Sequence, residues 1–432
     1  MPDVARGASG RTADSWDLLY RAAAEGEPLS GYYHRNYRVG LPPDLADAVA
    51  LPAGTPVKVR APIPEAVQFN LRIWPEGELL RAIAGRVDGS PRVLADRPGF
   101  TVHSFAQGVP LSGRDGAGRR PGRGYAAQLE ALFRQTAAVP FHALPPLPGG
   151  WPGDGDCGGF LRTLVDFTES EVKGRSSRAH QELFAALGVA DGALGRLRER
   201  AAGLGERPFT LLHTDAHAGN LIVGPGGELS LIDWELALYG DPVYEIAAHL
   251  GRMRYATGGR RRAALRAWRS AVAVSCPGAL SGHRGALRVY LDFERLLSVY
   301  IDVIRLTLAL PHRAGPAELT ATAERILVLL AAARGPLGSR RVPDVERIAA
   351  ACAVWQRNER DVPRMWNGQA ETGVLTYGQQ RSQKNPQRSP QGNPPGNPPG
   401  IPQRKRNVVE EPQKWFDAVR TAKGPDLGSL SE

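Results

Sequence analysis

The chain has 432 residues, 42% of them apolar and 23% charged, which excludes a wholly disordered polymer and leaves room for more than one hydrophobic core. Its formal charge is +10, but much of the excess is arginine spread through Ala/Leu/Arg-rich stretches such as 193–200 and 259–269; these read as solvated helix faces, and with no zinc-finger or aromatic RNA-reading pattern beside them no nucleic-acid partner is expected. Cys157, Cys276 and Cys352 are too few and too distant for a disulfide framework or metal knuckle, no secretory apolar stretch opens the chain, and the longest apolar run, 326–333, is too short for a bilayer, so a cytoplasmic protein without a membrane partner is expected.

Residues 31–41 and 55–62, rich in Tyr and Val between Gly and Pro borders, read as strands. Apolar positions 79, 80 and 83 predict a helix over 76–86, and 91–108 reads as strand, turn, strand. The first hundred residues thus predict a small sheet with one helix. Residues 113–124, dense in Gly and Arg without a period, read as a loop or hinge. Helical patterns follow at 125–138, 160–170, 178–188, 287–310 and 318–335, with strand character in this half expected only over 209–234.

After Trp366 the composition shifts to Pro, Gly, Gln and Asn, and 379–406 carries too little apolar surface to fold. Trp415 and Phe416 offer a partner contact and Arg404, Lys405 and Arg406 an RNA contact, but a dispensable solvated extension is the simpler reading. No repeat period is present. The chain divides into 1–106, 107–365 and 366–432: an α+β arrangement of a small sheet-bearing unit, a larger and mainly helical one, and a largely disordered tail.

Chemistry concentrates in 211–250, LLHTDAHAGNLIVGPGGELSLIDWELALYGDPVYEIAAHL. LIV at 221–223 and LSLI at 229–232 are β-favouring runs joined by a Gly/Pro turn. A hairpin symmetric about Gly226 and Gly227 places Asn220 opposite Asp233, with Cβ atoms about 5 Å apart. An amide oxygen and a carboxylate would then share one end of a rigid ribbon, and Asp215 would join them from the loop that feeds it. Hard oxygen ligands without Cys or a spaced His pair suit Mg²⁺ rather than zinc. The order His-x-Asp, four residues, Asn, hairpin, Asp matches the catalytic geometry of kinases. Asp241 before Pro242 reads as a helix N-cap. His213 is expected to orient the loop and His217 to be packed; whether Glu235 faces a substrate is open.

With these residues in view, the sequence resembles the aminoglycoside phosphotransferase and choline kinase group, relatives of the protein kinases. HTDAHAGN resembles that group's His-Gly-Asp-x-x-x-x-Asn loop, with Thr214 in place of Gly; IDWE and GDPVYEIA resemble the segments that follow. The resemblance implies a two-lobed protein-kinase-like fold, with Asp215 as catalytic base and Asn220 and Asp233 as Mg²⁺ ligands. It further implies that VKV at 57–59 is the strand whose Lys58 grips the α- and β-phosphates of ATP, with Arg60 in reserve. Glu76, favoured over Glu78 by register, would pair with that lysine, and backbone near Ser104 and Ala106 would bind adenine. No G-x-G-x-x-G stands near 31–39, where a phosphate-covering loop would lie.

The implied reaction is transfer of the γ-phosphoryl group of ATP to a hydroxyl of a small molecule. An aminoglycoside or other antibiotic comes first as acceptor, and choline, homoserine or a sugar is the rival. For a polycationic acceptor only Glu235, Glu245 and the acidic residues of 164–171 suggest an acidic pocket. A nucleotide-binding regulator without turnover, or a scaffold working through the basic tail, would be the non-enzymatic alternatives. The acceptor, the nucleotide preference and the oligomeric state are left open.

Overall fold

The computed structural model describes residues 10–29, 31, 33–64, 69–111, 124–189, 191–253, 255 and 257–360. The expected tail at 366–432 and all of the expected hinge at 113–124 except Gly124 lie outside the described residues.

The first part of the chain runs α1 (Gly10–Ala23), β1 (Glu27–Leu29), β2 (His34–Gly40), α2 (Pro43–Ala48), β3 (Pro56–Pro62), α3 (Glu76–Ile83), β4 (Val93–Arg97) and β5 (Phe100–Ser104). The strands form one antiparallel sheet in the order β1-β2-β3-β5-β4. The alternation of β3 explains its two faces. Val57, Val59 and Ala61 pack with Val102 and Phe100 against Trp16, Leu19 and Leu45 of α1 and α2. Lys58 and Arg60 go to the other face, Lys58 directly across from His103. Three helices rather than the expected one therefore accompany this sheet; α1 and α2 were missed, and they supply one wall of its core. α3 instead buries Leu79, Leu80 and Ile83 in the larger core.

The second part begins with β6 (Val109–Pro110) and continues α4 (Tyr125–Ala137), α5 (Cys157–Phe167), α6 (Arg178–Ala186), α7 (Ala193–Ala201), β7 (Thr210–Leu212), β8 (Leu221–Val223), β9 (Leu229–Leu231), β10 (Leu238–Gly240), α8 (Pro242–Arg252), α9 (Gly258–Ser275), α10 (His283–Leu308), α11 (Pro316–Ala332), α12 (Arg334–Leu337) and α13 (Val345–Arg360). α10 is the long central rod, burying Tyr290, Phe293, Leu296, Val299, Tyr300, Val303 and Ile304. Strand character extends beyond 209–234, because β10 pairs with β7 and β6 pairs with β8. These strands are too short to declare themselves by alternation. Among the described residues no helix is long and apolar enough to cross a membrane. The result is a small antiparallel sheet unit and a larger helical unit, the expected two-lobed α+β arrangement.

Candidate active site

β7 delivers the chain into the loop 213–220, and two residues shape its start. His213 is fully buried; its Nε2 donates to the carbonyl of Ile232 (3.1 Å) and its Nδ1 accepts the N–H of Asp215 (3.2 Å). Burial holds this imidazole down, to about 4, so it braces the loop as a neutral ring. Thr214 takes φ +61°, a left-handed conformation costly for a β-branched residue. Two bonds hold it there: its N–H donates to Glu245 Oε2 (2.9 Å) and its hydroxyl to the carbonyl of Leu236 (2.8 Å). The departure from glycine is thus accommodated rather than disruptive.

Asp215, 17% exposed, is gripped on both oxygens. Oδ1 accepts from Arg252 Nη1 (2.6 Å) and Oδ2 from Asn220 Nδ2 (3.0 Å), while His217 Nε2 lies 3.7 Å from Oδ2. Burial alone would raise its pKa; the neighbouring His217 and the Arg252 guanidinium, with the Arg252 hydrogen bond, outweigh that and hold the carboxyl below its ordinary value. His217 is not packed away as expected: it stands beside Asp215, its Nδ1 accepting the N–H of Gly219 (2.9 Å). Arg252 was missed. The signal available was its position seven residues after Glu245, on the same face of α8.

The hairpin forms, but its register differs by one from the expected pairing. Leu221 faces Leu231 and Val223 faces Leu229, so the position opposite Asn220 is Ile232, whose N–H donates to the Asn220 carbonyl (3.0 Å). The cause is the turn: Gly224 and Glu228 close it (2.9 Å) around three residues, with Gly227 at φ +88°, instead of around two. Asp233 follows one position later in a left-handed conformation, φ +67°, which turns it out of the ladder. Its Oδ1 is buried without a hydrogen-bond partner, with Arg60 Nη2 3.6 Å away.

These donors fit a hard divalent cation. Asn220 spends Nδ2 on Asp215, leaving Oδ1 as an acceptor, and Asp233 offers an unbonded carboxylate oxygen. Among the described residues no group of three or more His, Cys, Asp or Glu could hold a metal by itself. An ion here would draw its other ligands from phosphate and water, as Mg²⁺ does.

On the sheet side, Glu76 does not pair with Lys58. Its carboxylate forms an ion pair with Arg60 Nη1, and its Oε1 accepts the N–H of Trp234 (2.9 Å). Arg60 also donates to Glu235 Oε2 (2.8 Å), approaches His34 Nδ1 (3.0 Å) and is 4% exposed. Lys58 and Arg60 share a face of β3, and the α3 N-terminus meets that face at Arg60. Lys58 makes no ion pair with a described carboxylate; burial and then Arg60 push its ammonium down, to about 8, against the pull of Asp233 and Glu235. Glu235 is fully committed, with Arg72 Nη2 2.9 Å from its Oε1. The Arg72 guanidinium in turn covers the Tyr33 ring at 4.4 Å. At the end of β5 the amide of Ser104 is already given to the carbonyl of Arg92 (2.8 Å), whereas the Ala106 amide makes no hydrogen bond to a described residue.

Asp241 caps α8, accepting from the N–H of Val243 (3.0 Å), and also binds Arg207 and Tyr290, so its role is structural. The acidic residues of 164–171 are also paired: Asp166 and Glu169 with Arg198, Glu171 with Arg175.

Residues 27–283 match the model of a family described as the phosphotransferase enzyme family. Among solved structures the chain is similar to a choline/ethanolamine kinase family protein from Mesorhizobium loti, with 18% identity, TM-score 0.44, and 79% of this chain and 99% of that one covered. It is similar to macrolide 2′-phosphotransferase from Brachybacterium faecium at 18% identity and TM-score 0.41, covering 76% and 99%, and to aminoglycoside phosphotransferase APH(4)-Ia at 15% and 0.43, covering 80% and 99%. No curated protein matches the chain.

Proposed function

The chain belongs to the phosphotransferase enzyme family, and from that premise we propose that it transfers the γ-phosphoryl group of ATP to a hydroxyl of a small molecule, with Asp215 as base. The observation that carries this reading is an Asp215 carboxylate held on both oxygens, one of them by Asn220, with Asp233 next in the chain after Ile232, the residue opposite Asn220, and its Oδ1 without a hydrogen bond. Such a set has no evident purpose as packing, since it leaves a buried carboxylate oxygen without a hydrogen bond, only an Arg60 guanidinium 3.6 Å away.

Asp215 stays ionised and is a weak base, so its first task is to orient the acceptor hydroxyl; it takes the proton as the oxygen bonds to phosphorus and the bond to the departing nucleoside diphosphate breaks. Mg²⁺ held by Asn220 and Asp233 would offset charge on the phosphate oxygens. Lys58 is the uncommitted cation for the α- and β-phosphates, and Arg60 organises Glu76 and Glu235 behind it. The carbonyl of Ser104 and the amide of Ala106 are the backbone groups proposed for adenine. Catalysis in this scheme is orientation plus electrostatics.

For the acceptor, the carboxylates that a polycation would need are spent. Glu235 serves Arg60 and Arg72, Glu245 the loop, and Asp166, Glu169 and Glu171 their own arginines. This favours a hydroxyl compound of low positive charge, whether an antibiotic of that kind or a metabolic alcohol or sugar, over an aminoglycoside. The test is ATP consumption by the purified chain against antibiotics, amino alcohols and sugars, with Asp215→Asn beside it. Turnover should fall steeply in the variant, by roughly 100-fold or more, while nucleotide affinity holds. Wild-type turnover in Asp215→Asn would remove Asp215 from the role.

A further inference from the structure

α8 holds the catalytic loop along one face. Positions 245, 249 and 252 are four and then three apart, so their side chains stand above one another on the helix. Glu245 Oε2 accepts the N–H of Thr214 (2.9 Å), Arg252 Nη1 donates to Asp215 Oδ1 (2.6 Å), and His249 Nδ1 lies 2.6 Å from the carbonyl oxygen of Ala216. Three consecutive loop residues are each held by one side chain of the same helix.

His249 is the member for which nothing above supplies a role. Its ring is fully buried, edge-on to Phe133 at 5.5 Å between centroids. A carbonyl oxygen can only accept, so Nδ1 carries the proton, and Nε2 accepts from the hydroxyl of Tyr255 at 2.5 Å. Burial keeps the imidazole neutral, its pKa pushed down to about 4. One tautomer is therefore imposed from both sides.

We propose that His249 is a positioning residue for Asp215: by pinning the Ala216 carbonyl, one peptide unit beyond the one that leaves the base, it fixes the loop immediately after Asp215 and hence the direction of the carboxylate. The proposal rests on reading Asp215 as the base. Arg252 cannot supply this constraint alone, because its guanidinium is shared with Glu294 (3.3 Å) and a carboxylate on an unbraced loop would follow it. An orienting base tolerates little drift; about 1 Å of misplacement costs on the order of 100-fold in rate.

The test uses the full chain with Mg·ATP, reading phosphate release to water or to any hydroxyl acceptor found in the screen. His249→Leu removes the donor, whereas His249→Asn places an amide N–H near the Nδ1 position. His249→Leu should lower kcat by roughly 10- to 100-fold with the KM for ATP changed by less than about twofold, and His249→Asn should recover most of that loss. Tyr255→Phe, which leaves Nδ1 untouched, should stay within about threefold of wild type. Hydrogen exchange of the peptide spanning 213–220 should rise in His249→Leu and return toward wild type in His249→Asn, a readout that needs no turnover.

Wild-type kcat or unchanged exchange in His249→Leu overturns the proposal. So does a His249→Asn protein that melts like wild type yet performs no better than His249→Leu. If Asp215→Asn is silent while His249→Leu is fully active, this inference alone fails. If Asp215→Asn itself turns over normally, the functional reading beneath it fails.

Discussion

Lys58 and Arg60 show how two cations two residues apart acquire different work. Arg60 is a hub: Glu76, Glu235 and Asp233 all face it, and its side chain is almost completely enclosed. Truncating it would leave buried Glu76 without its counter-charge and Glu235 with Arg72 alone, a loss of about 3–5 kcal/mol. Arg60→Ala should therefore unfold at clearly lower urea, with nucleotide binding lost as a consequence. Lys58→Met should melt nearly as wild type but bind nucleotide about tenfold more weakly, having lost one charge-assisted bond. Urea titration and fluorescent-nucleotide binding on both proteins separate the roles, and a destabilised Lys58→Met beside a stable Arg60→Ala would reverse them. The sequence left both residues open because strand alternation puts them on one face. Only the approach of α3, a tertiary fact, hands Glu76 to Arg60.

At the scale of elements, the 221–231 hairpin was legible as strand, turn and strand, from LIV and LSL around a Gly-rich turn. Its register was not, because register depends on whether two or three residues close the turn, and Gly226-Gly227 permits either. The one-residue shift puts Ile232 opposite Asn220, and Asp233 follows it out of the ladder with a positive φ. The start of α8, by contrast, could be read directly from Asp241-Pro242, since cap and fixed proline φ are local. What the sequence hid is that the same carboxylate is buried and pairs with Arg207 through Nε (3.0 Å) and Nη2 (2.5 Å). That pair ties α8 to the chain entering β7. Arg207→Met should cost about 3–5 kcal/mol by stranding the Asp241 charge, and adding Asp241→Asn should return part of it. If the double variant melts below the single one, the buried charge is not the cause.

Across the whole molecule, the buried apolar residues gather into two cores. One is the α1–α2 layer on the sheet; the other gathers α3 with the helices of the second unit. Buried ionisable groups, Asp215 and Glu245 among them, shift their protonation on folding, so stability responds to pH through them. Asp215, whose pKa is lowered, adds stability above its unfolded value, and that contribution is lost as pH falls through the folded one. Glu245 works in the opposite sense. Burial pushes it up to about 7 from 4.5, against the bonds from Thr214 and His213, so the folded chain holds a proton there that the unfolded chain has released. Its contribution is fully present below pH 4.5 and lost as pH rises toward 7. Glu245→Gln keeps the acceptor for Thr214 and removes the titration. Between those two pH values wild type should lose ground to Glu245→Gln by on the order of 2 kcal/mol, read from urea midpoints at a series of pH values. Parallel curves for the two proteins would mean that Glu245 carries the same charge in both states, and that the N–H groups of the 213–220 loop, rather than burial, govern its proton.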